Sequence, residues 1–72
     1  MENLEYGEWI IDYIDFGYYA WYVKNKNNNL YLNKNSKLTN KCDDKNFWDE
    51  KNEAFTFLKK FLNRNDDKYE RK

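Results

Sequence analysis

The chain has 72 residues, which fits one domain, and its 13 basic residues balance its 13 acidic ones. A domain of this size buries only about 60 % of the surface that its unfolded chain exposes, which excludes a large core. No stretch approaches the roughly twenty apolar residues of a membrane span. The single cysteine, Cys42, cannot form an internal disulfide, so the composition favours a reducing compartment such as the cytoplasm.

The charge balance is made by unlike blocks. Residues 1–23 carry five acids and no base, residues 24–41 carry five lysines and no acid, and residues 42–72 are balanced. Asparagine occurs twelve times, and the codon bias of an AT-rich genome is the first explanation of this abundance. Fifteen aromatic residues stand against ten Ile, Leu and Val, which reverses the usual order of a small core.

The first predicted element is a β-hairpin. The segments "EWIIDYID" (residues 8–15) and "YYAWYV" (residues 18–23) are rich in β-branched and aromatic residues, as strands are. Phe16 and Gly17 connect them, and glycine can take the positive φ of a tight turn. Asparagines at 25–29 predict a second turn, followed by a short strand at residues 30–33 and a fourth at "KLT" (residues 37–39).

A helix is predicted for the C-terminal part. Phe47 and Trp48 should anchor in the core just before it, and Asp49 can serve as its N-cap. The apolar residues that follow recur at helical spacing: Ala54, Phe57, Leu58, Phe61 and Leu62. We therefore expect an α+β fold, an antiparallel three- to four-stranded sheet with one C-terminal helix packed on a face, in the order βββ(β)α. Residues 1–65 form this single domain, and residues 66–72 a frayed charged tail.

The chain contains few residues of the types that catalysis and metal binding use. The chain has no histidine, one cysteine and one serine, so a Ser/His or Cys/His nucleophile pair cannot be assembled. Zinc ligands and the spacing of a calcium loop are also missing. The sequence therefore predicts a protein that is not an enzyme and uses neither a metal nor another cofactor.

The lysine-rich block, residues 24–41, leaves two interpretations open. A single-stranded nucleic-acid surface would use Lys24, Lys26 and Lys34, with Tyr31 as a stacking platform. Against this, binders of phosphate usually carry a clear positive excess, and the acids of the neighbouring hairpin can pair with these lysines across strands. Charge pairing within the sheet, or with an acidic partner, is the favoured interpretation.

The aromatic hairpin points to a protein partner. In "YYAWYV" both faces of the strand carry apolar or amphipathic side chains, and one helix can cover only one of them. The other face is free for solvent, for a second copy in a homodimer, or for a partner, and Tyr and Trp are enriched where proteins bind proteins. Asp12, Tyr19 and Trp21 are the predicted partner-binding residues.

Much of the chain, from Tyr19 to Leu62, resembles small phage and mobile-element proteins of low-GC bacteria. The similar pieces are Tyr22-Val23, the asparagines at 25–29, Tyr31-Leu32-Asn33, Phe47-Trp48, Glu53-Ala54 and Phe57-Leu58. The resemblance implies a non-catalytic anti-defence factor, such as an anti-CRISPR protein, that inhibits by binding a larger host complex such as a CRISPR effector. It transfers no functional residue to this sequence.

Overall fold

The computed structural model describes residues 2–43 and 46–70, and side chains up to residue 64. Its elements are β1 (Leu4–Tyr6), β2 (Trp9–Asp15), β3 (Tyr19–Asn25), β4 (Tyr31–Leu32), β5 (Leu38–Thr39) and α1 (Lys51–Glu70). The strands form one antiparallel sheet in the order β1-β2-β3-β4-β5. The predicted α+β fold with one C-terminal helix is confirmed.

Strand β1 is the element that the sequence pattern did not reveal, and it raises the number of strands to five. Its three residues are too few to show alternation. The turn that joins it to β2 contains Gly7, whose φ is 61°. Leu4 then lies opposite Ile11, and Tyr6 opposite Trp9.

The hairpin of β2 and β3 is confirmed as the centre of the sheet. Its register runs from Trp9 opposite Asn25 to Asp15 opposite Tyr19. Gly17 has a φ of 90°, and its N–H donates to Asp15 Oδ1 at 2.9 Å. The left-handed conformation at this position is readily available to glycine, which closes the turn without strain.

The asparagine turns are also confirmed, and their side chains hold them. Asn25 Oδ1 accepts the N–H of Asn27 at 2.9 Å, and Asn33 Oδ1 accepts the N–H of Asn35 at 2.9 Å. Asn29, with a φ of 60°, uses the left-handed region that asparagine tolerates.

Alternation along β2 and β3 assigns each side chain to one of two faces. The face toward α1 carries the core, which includes Trp9, Ile11, Trp21, Val23, Leu32, Trp48, Ala54 and Leu58. No helix packs on the other face in the described part of the chain. We call it the open face; its strand residues are Ile10, Asp12, Ile14, Ala20, Tyr22, Lys24 and Tyr31.

Trp48 extends the sheet beside β4. Its N–H donates to the carbonyl of Trp21 at 2.8 Å and its carbonyl accepts the N–H of Trp21 at 2.9 Å. The Trp48 ring is buried against Phe57 of the helix, with ring centroids 5.2 Å apart. The predicted anchoring of Trp48 in the core is confirmed. Phe47, the residue before it, lies half-buried on the open face instead, where its ring contacts Tyr22.

Helix α1 begins at Lys51, two residues after the predicted cap. Ala54 and Leu58 are fully buried, and Phe57, Phe61 and Leu62 pack beside them. The helix continues to Glu70, and the frayed tail predicted for residues 66–72 stays a prediction, with residues 71 and 72 outside the described residues. Within residues 2–43 and 46–70, no helix combines the length and the apolar character needed to cross a membrane.

Candidate protein-interaction face

A continuous row of aromatic rings crosses the open face. We call it the aromatic row; in spatial order it consists of Tyr18, Phe16, Phe47, Tyr22 and Tyr31. Neighbouring ring centroids lie 6.0, 6.0, 6.4 and 5.6 Å apart in that order, within the range of favourable ring contacts. The hairpin loop brings in the first two rings and the loop before α1 brings in the third, so the row joins three separate parts of the chain.

The hairpin end of the aromatic row is the exposed end. Phe16 is 56 % exposed and Tyr18 is 65 % exposed, while Ile14, the last open-face residue of β2, is 38 % exposed. Tyr22, Tyr31 and Phe47 are half-buried. Together these side chains leave an apolar strip on a face that the helix does not cover.

Charges of both signs border this strip. Lys24 Nζ lies 5.6 Å from the centre of the Tyr31 ring, which is a cation–π contact. Lys26 Nζ lies 3.0 Å from Glu5 Oε1, so this lysine is neutralised within the sheet. Asp12 is half-buried opposite Tyr22, and its Oδ1 accepts the N–H of Tyr13 at 2.8 Å. The open face therefore has no excess of positive charge.

Two groups of the open face have perturbed acidity. Burial raises the pKa of Tyr22 above its usual value, and the charge of Asp12 acts in the same direction. Burial and the neighbouring Asp43 raise the pKa of the Cys42 thiol, with Lys24 opposing them. Both groups are therefore held in their neutral forms near pH 7, and the thiol is not activated as a nucleophile.

The structure separates the three residues predicted to bind a partner. Asp12 lies on the open face, whereas Tyr19 and Trp21 lie on the face toward α1. Tyr19 is 41 % exposed, but Trp21 is 2 % exposed within the core. Trp21 is therefore not exposed as expected, because its side of β3 is the side that the helix covers, and its role in partner binding stays a prediction.

The four residues of the nucleic-acid alternative are also divided. Lys24, Lys26 and Tyr31 share the open face, and all three contact neighbouring side chains as described above. Lys34 Nζ lies 5.7 Å from the ring of Trp48, which belongs to the face toward α1. These residues do not form one basic surface.

Sequence reasoning did not predict four rings of the aromatic row as partner-binding residues: Phe16, Tyr18, Tyr22 and Phe47. Phe16 carried a signal, because a large apolar side chain in a hairpin loop has little of the chain around it to bury it. Phe47 carried none, since its position depends on the pairing of Trp48 with Trp21.

No group of three or more metal-ligating side chains occurs in the part of the chain that the structure describes. A scan against protein-family models finds no match, and neither the search of curated proteins nor the search of solved structures finds a similar protein. The function of the chain must therefore be inferred from its own geometry.

Proposed function

We propose that this protein is a non-catalytic binding protein that docks its open face on another protein. The aromatic row carries this proposal, because it exposes apolar rings on a sheet face that the domain's own helix leaves uncovered. Exposed apolar patches of this kind mark interaction sites, and Tyr and Phe are enriched in them.

The border of the aromatic row indicates the chemistry of the partner surface. Asp12 and Lys24 present opposite charges on either side of Tyr22, and Tyr hydroxyls add polar groups to the rings. The matching surface is apolar at its centre and carries charges of both signs at its rim. The resemblance to small phage proteins supports a specific form of this proposal, in which the partner is a host complex such as a CRISPR effector and docking inhibits it.

A nucleic acid is the second candidate ligand, and one observation favours it. Lys24 above Tyr31, next to Tyr22, is an arrangement that can stack a base and contact a phosphate. The ion pair of Lys26 with Glu5, and the nearby charge of Asp12, weaken the positive field that phosphate binding requires. A protein ligand is the better supported of the two.

Photo-crosslinking from matched positions tests the protein–protein proposal. Ile14 on the open face and Leu38 in β5 are almost equally exposed, at 38 % and 37 %, and lie on opposite sides of the sheet. A photoreactive amino acid is placed at one position or the other, and the protein is irradiated in lysate of a low-GC bacterium. We expect an adduct with a host protein from position 14 and none from position 38.

The adduct then supplies a purified partner for affinity measurements. Phe16→Ser should weaken binding at least tenfold if Phe16 is a central anchor, since such anchors contribute about 2 kcal/mol or more. Leu38→Ser is the control and should leave the dissociation constant unchanged. Equal labelling from both positions would contradict the proposal. An adduct of twice the chain mass would show that the open face binds a second copy of this chain, as in the predicted homodimer. An adduct with nucleic acid would favour the second candidate.

A further inference from the structure

A groove outside the open face lies between the hairpin end of β2 and β3 and the start of α1. Its volume is about 740 Å³, and its walls include Tyr18, Tyr19 and Trp21. Three acidic residues line it as well, Glu2, Asp49 and Glu50. A volume of several hundred cubic ångströms is typical of sites that bind ligands.

The electrostatic character of this groove is negative. Three acidic residues and one basic residue, Lys51, line it, which gives a formal charge of −2 at neutral pH. Among the described residues, the carboxylates of Asp49 and Glu50 form neither a hydrogen bond nor an ion pair. The start of α1 contributes about half a positive charge, which is smaller than the net charge of the carboxylates.

The chain itself shows that an aromatic wall of the groove holds a cation. Lys51 Nζ lies 5.8 Å from the centre of the Trp21 ring and 3.5 Å from the backbone carbonyl of Glu2. This contact is one instance of a cation placed against the ring and beside an oxygen acceptor. The ring of Tyr19, which is 41 % exposed, has no such cation among the described contacts.

We propose that this groove binds an arginine side chain within a basic segment of a partner protein. A guanidinium is planar and weakly hydrated, so it can stack on a tyrosine ring while its N–H groups donate to a carboxylate. Paired donation of this kind is stronger and more directional than the contact of an ammonium group. The groove is larger than one side chain, so residues beside the arginine enter it as well.

The inference goes beyond the open face and does not depend on it. Tyr18 nevertheless belongs to both surfaces, since it lines the groove and its ring centroid lies 6.0 Å from that of Phe16. A partner seated on the aromatic row can therefore reach the groove across the hairpin end.

A titration of the ¹⁵N-labelled protein with short peptides tests this site directly. The probes are acetyl-Gly-Arg-Arg-Gly-amide and the same peptide with two lysines or two glutamates in place of the arginines. We expect the arginine peptide to shift the amide signals of residues 18–21 and 49–52 and the indole signal of Trp21. The lysine peptide should bind at least threefold more weakly, and the glutamate peptide should cause no shifts.

Paired variants assign the binding to the groove. Asp49→Asn combined with Glu50→Gln should weaken binding of the arginine peptide at least fivefold, while the dispersed spectrum shows that the fold is kept. Glu53→Gln is the matched control, because Glu53 is an exposed acid in the first turn of the same helix and does not line the groove. Phe16→Ser should leave peptide binding unchanged, which separates this site from the open face.

Three results would overturn the inference. They are the absence of shifts in the groove, equal weakening by Glu53→Gln and by the paired variant, and equal affinity for the arginine and lysine peptides. Failure of the crosslink from Ile14 would leave the groove result intact, and failure of the peptide titration would leave the open-face result intact.

Discussion

Asn25 is the residue whose replacement gives the most direct test of the fold. It is 2 % exposed, and its Nδ2 donates to Glu8 Oε1 at 2.9 Å. Its Oδ1 accepts the N–H of Asn27 at 2.9 Å and that of Asn28 at 3.3 Å. One amide therefore ties the turn after β3 to the residue that precedes β2.

The expected cost of Asn25→Ala follows from these three hydrogen bonds. A bond to a charged group contributes about 1.5–3 kcal/mol, and a neutral bond contributes about 0.5–1.5 kcal/mol. Allowing for the long bond to Asn28, the loss is about 3 kcal/mol. A domain of this length has a free energy of unfolding of roughly 4–11 kcal/mol, so the variant should lose a large share of it. The corresponding fall in Tm is about 12–24 °C.

Urea denaturation followed by tryptophan fluorescence measures this change. Asn35→Ala is the control, because Asn35 is exposed and its side chain forms no hydrogen bond among the described residues; its cost should stay below about 0.5 kcal/mol. Asn25→Asp keeps the two accepted bonds but sets a carboxylate against Glu8, so it should also lose stability at pH 7. Equal stability of Asn25→Ala and Asn35→Ala would refute the reasoning. Codon bias alone would then account for an asparagine at position 25.

Three further outcomes are expected. Trp21→Ala should cost about 3–5 kcal/mol, because it removes a buried ring; a Tm equal to that of the wild type in circular dichroism would contradict its place in the core. The raised pKa of Tyr22 means that folding favours its neutral form, so stability should fall as the pH rises from about 10 through the higher pKa of the folded state. Urea titrations should show that Tyr22→Phe loses less stability than the wild type over that pH range. Identical losses would show that the Tyr22 hydroxyl is not the group responsible. In a mobility-shift series, the wild type should show no salt-sensitive binding to single-stranded DNA; binding at low micromolar concentration that Lys24→Ala weakens would favour the nucleic-acid alternative.

Much of the fold could be predicted because its larger elements have strong local patterns. The period of Ala54, Phe57 and Leu58 indicates a helix, and Gly17 between two aromatic strands indicates a hairpin. Strand β1 could not be found in this way, since Leu4–Tyr6 becomes a strand only by pairing with β2. The start of α1 also differs from the prediction: Trp48 pairs with Trp21 of β3, and the helix begins three residues after that bridge, at Lys51.

The site was less predictable, because the hairpin has two faces that look alike in sequence. Aromatic residues occur on both sides of β3, so aromatic content cannot tell which side the helix covers. Aliphatic residues also occur on both sides: Ile11 is fully buried on the side of Trp21, whereas Ile10 and Ile14 lie on the open face. Tyr22 lies on the open face as well, where it meets Phe47 from a segment 25 residues further along the chain.

The order of the strands has a consequence for synthesis of the chain on the ribosome. Each strand pairs with its neighbour in sequence, so the sheet can assemble as it emerges, but Trp9 and Trp21 are buried only when Ala54 and Leu58 follow. The 37 residues that follow Trp21, up to Leu58, are synthesised at about 5–20 residues per second, so Trp21 waits roughly 2 to 7 seconds for Leu58. A nascent chain that stops before the helix therefore presents two apolar faces instead of one, and it should be a better substrate for chaperones than the finished protein.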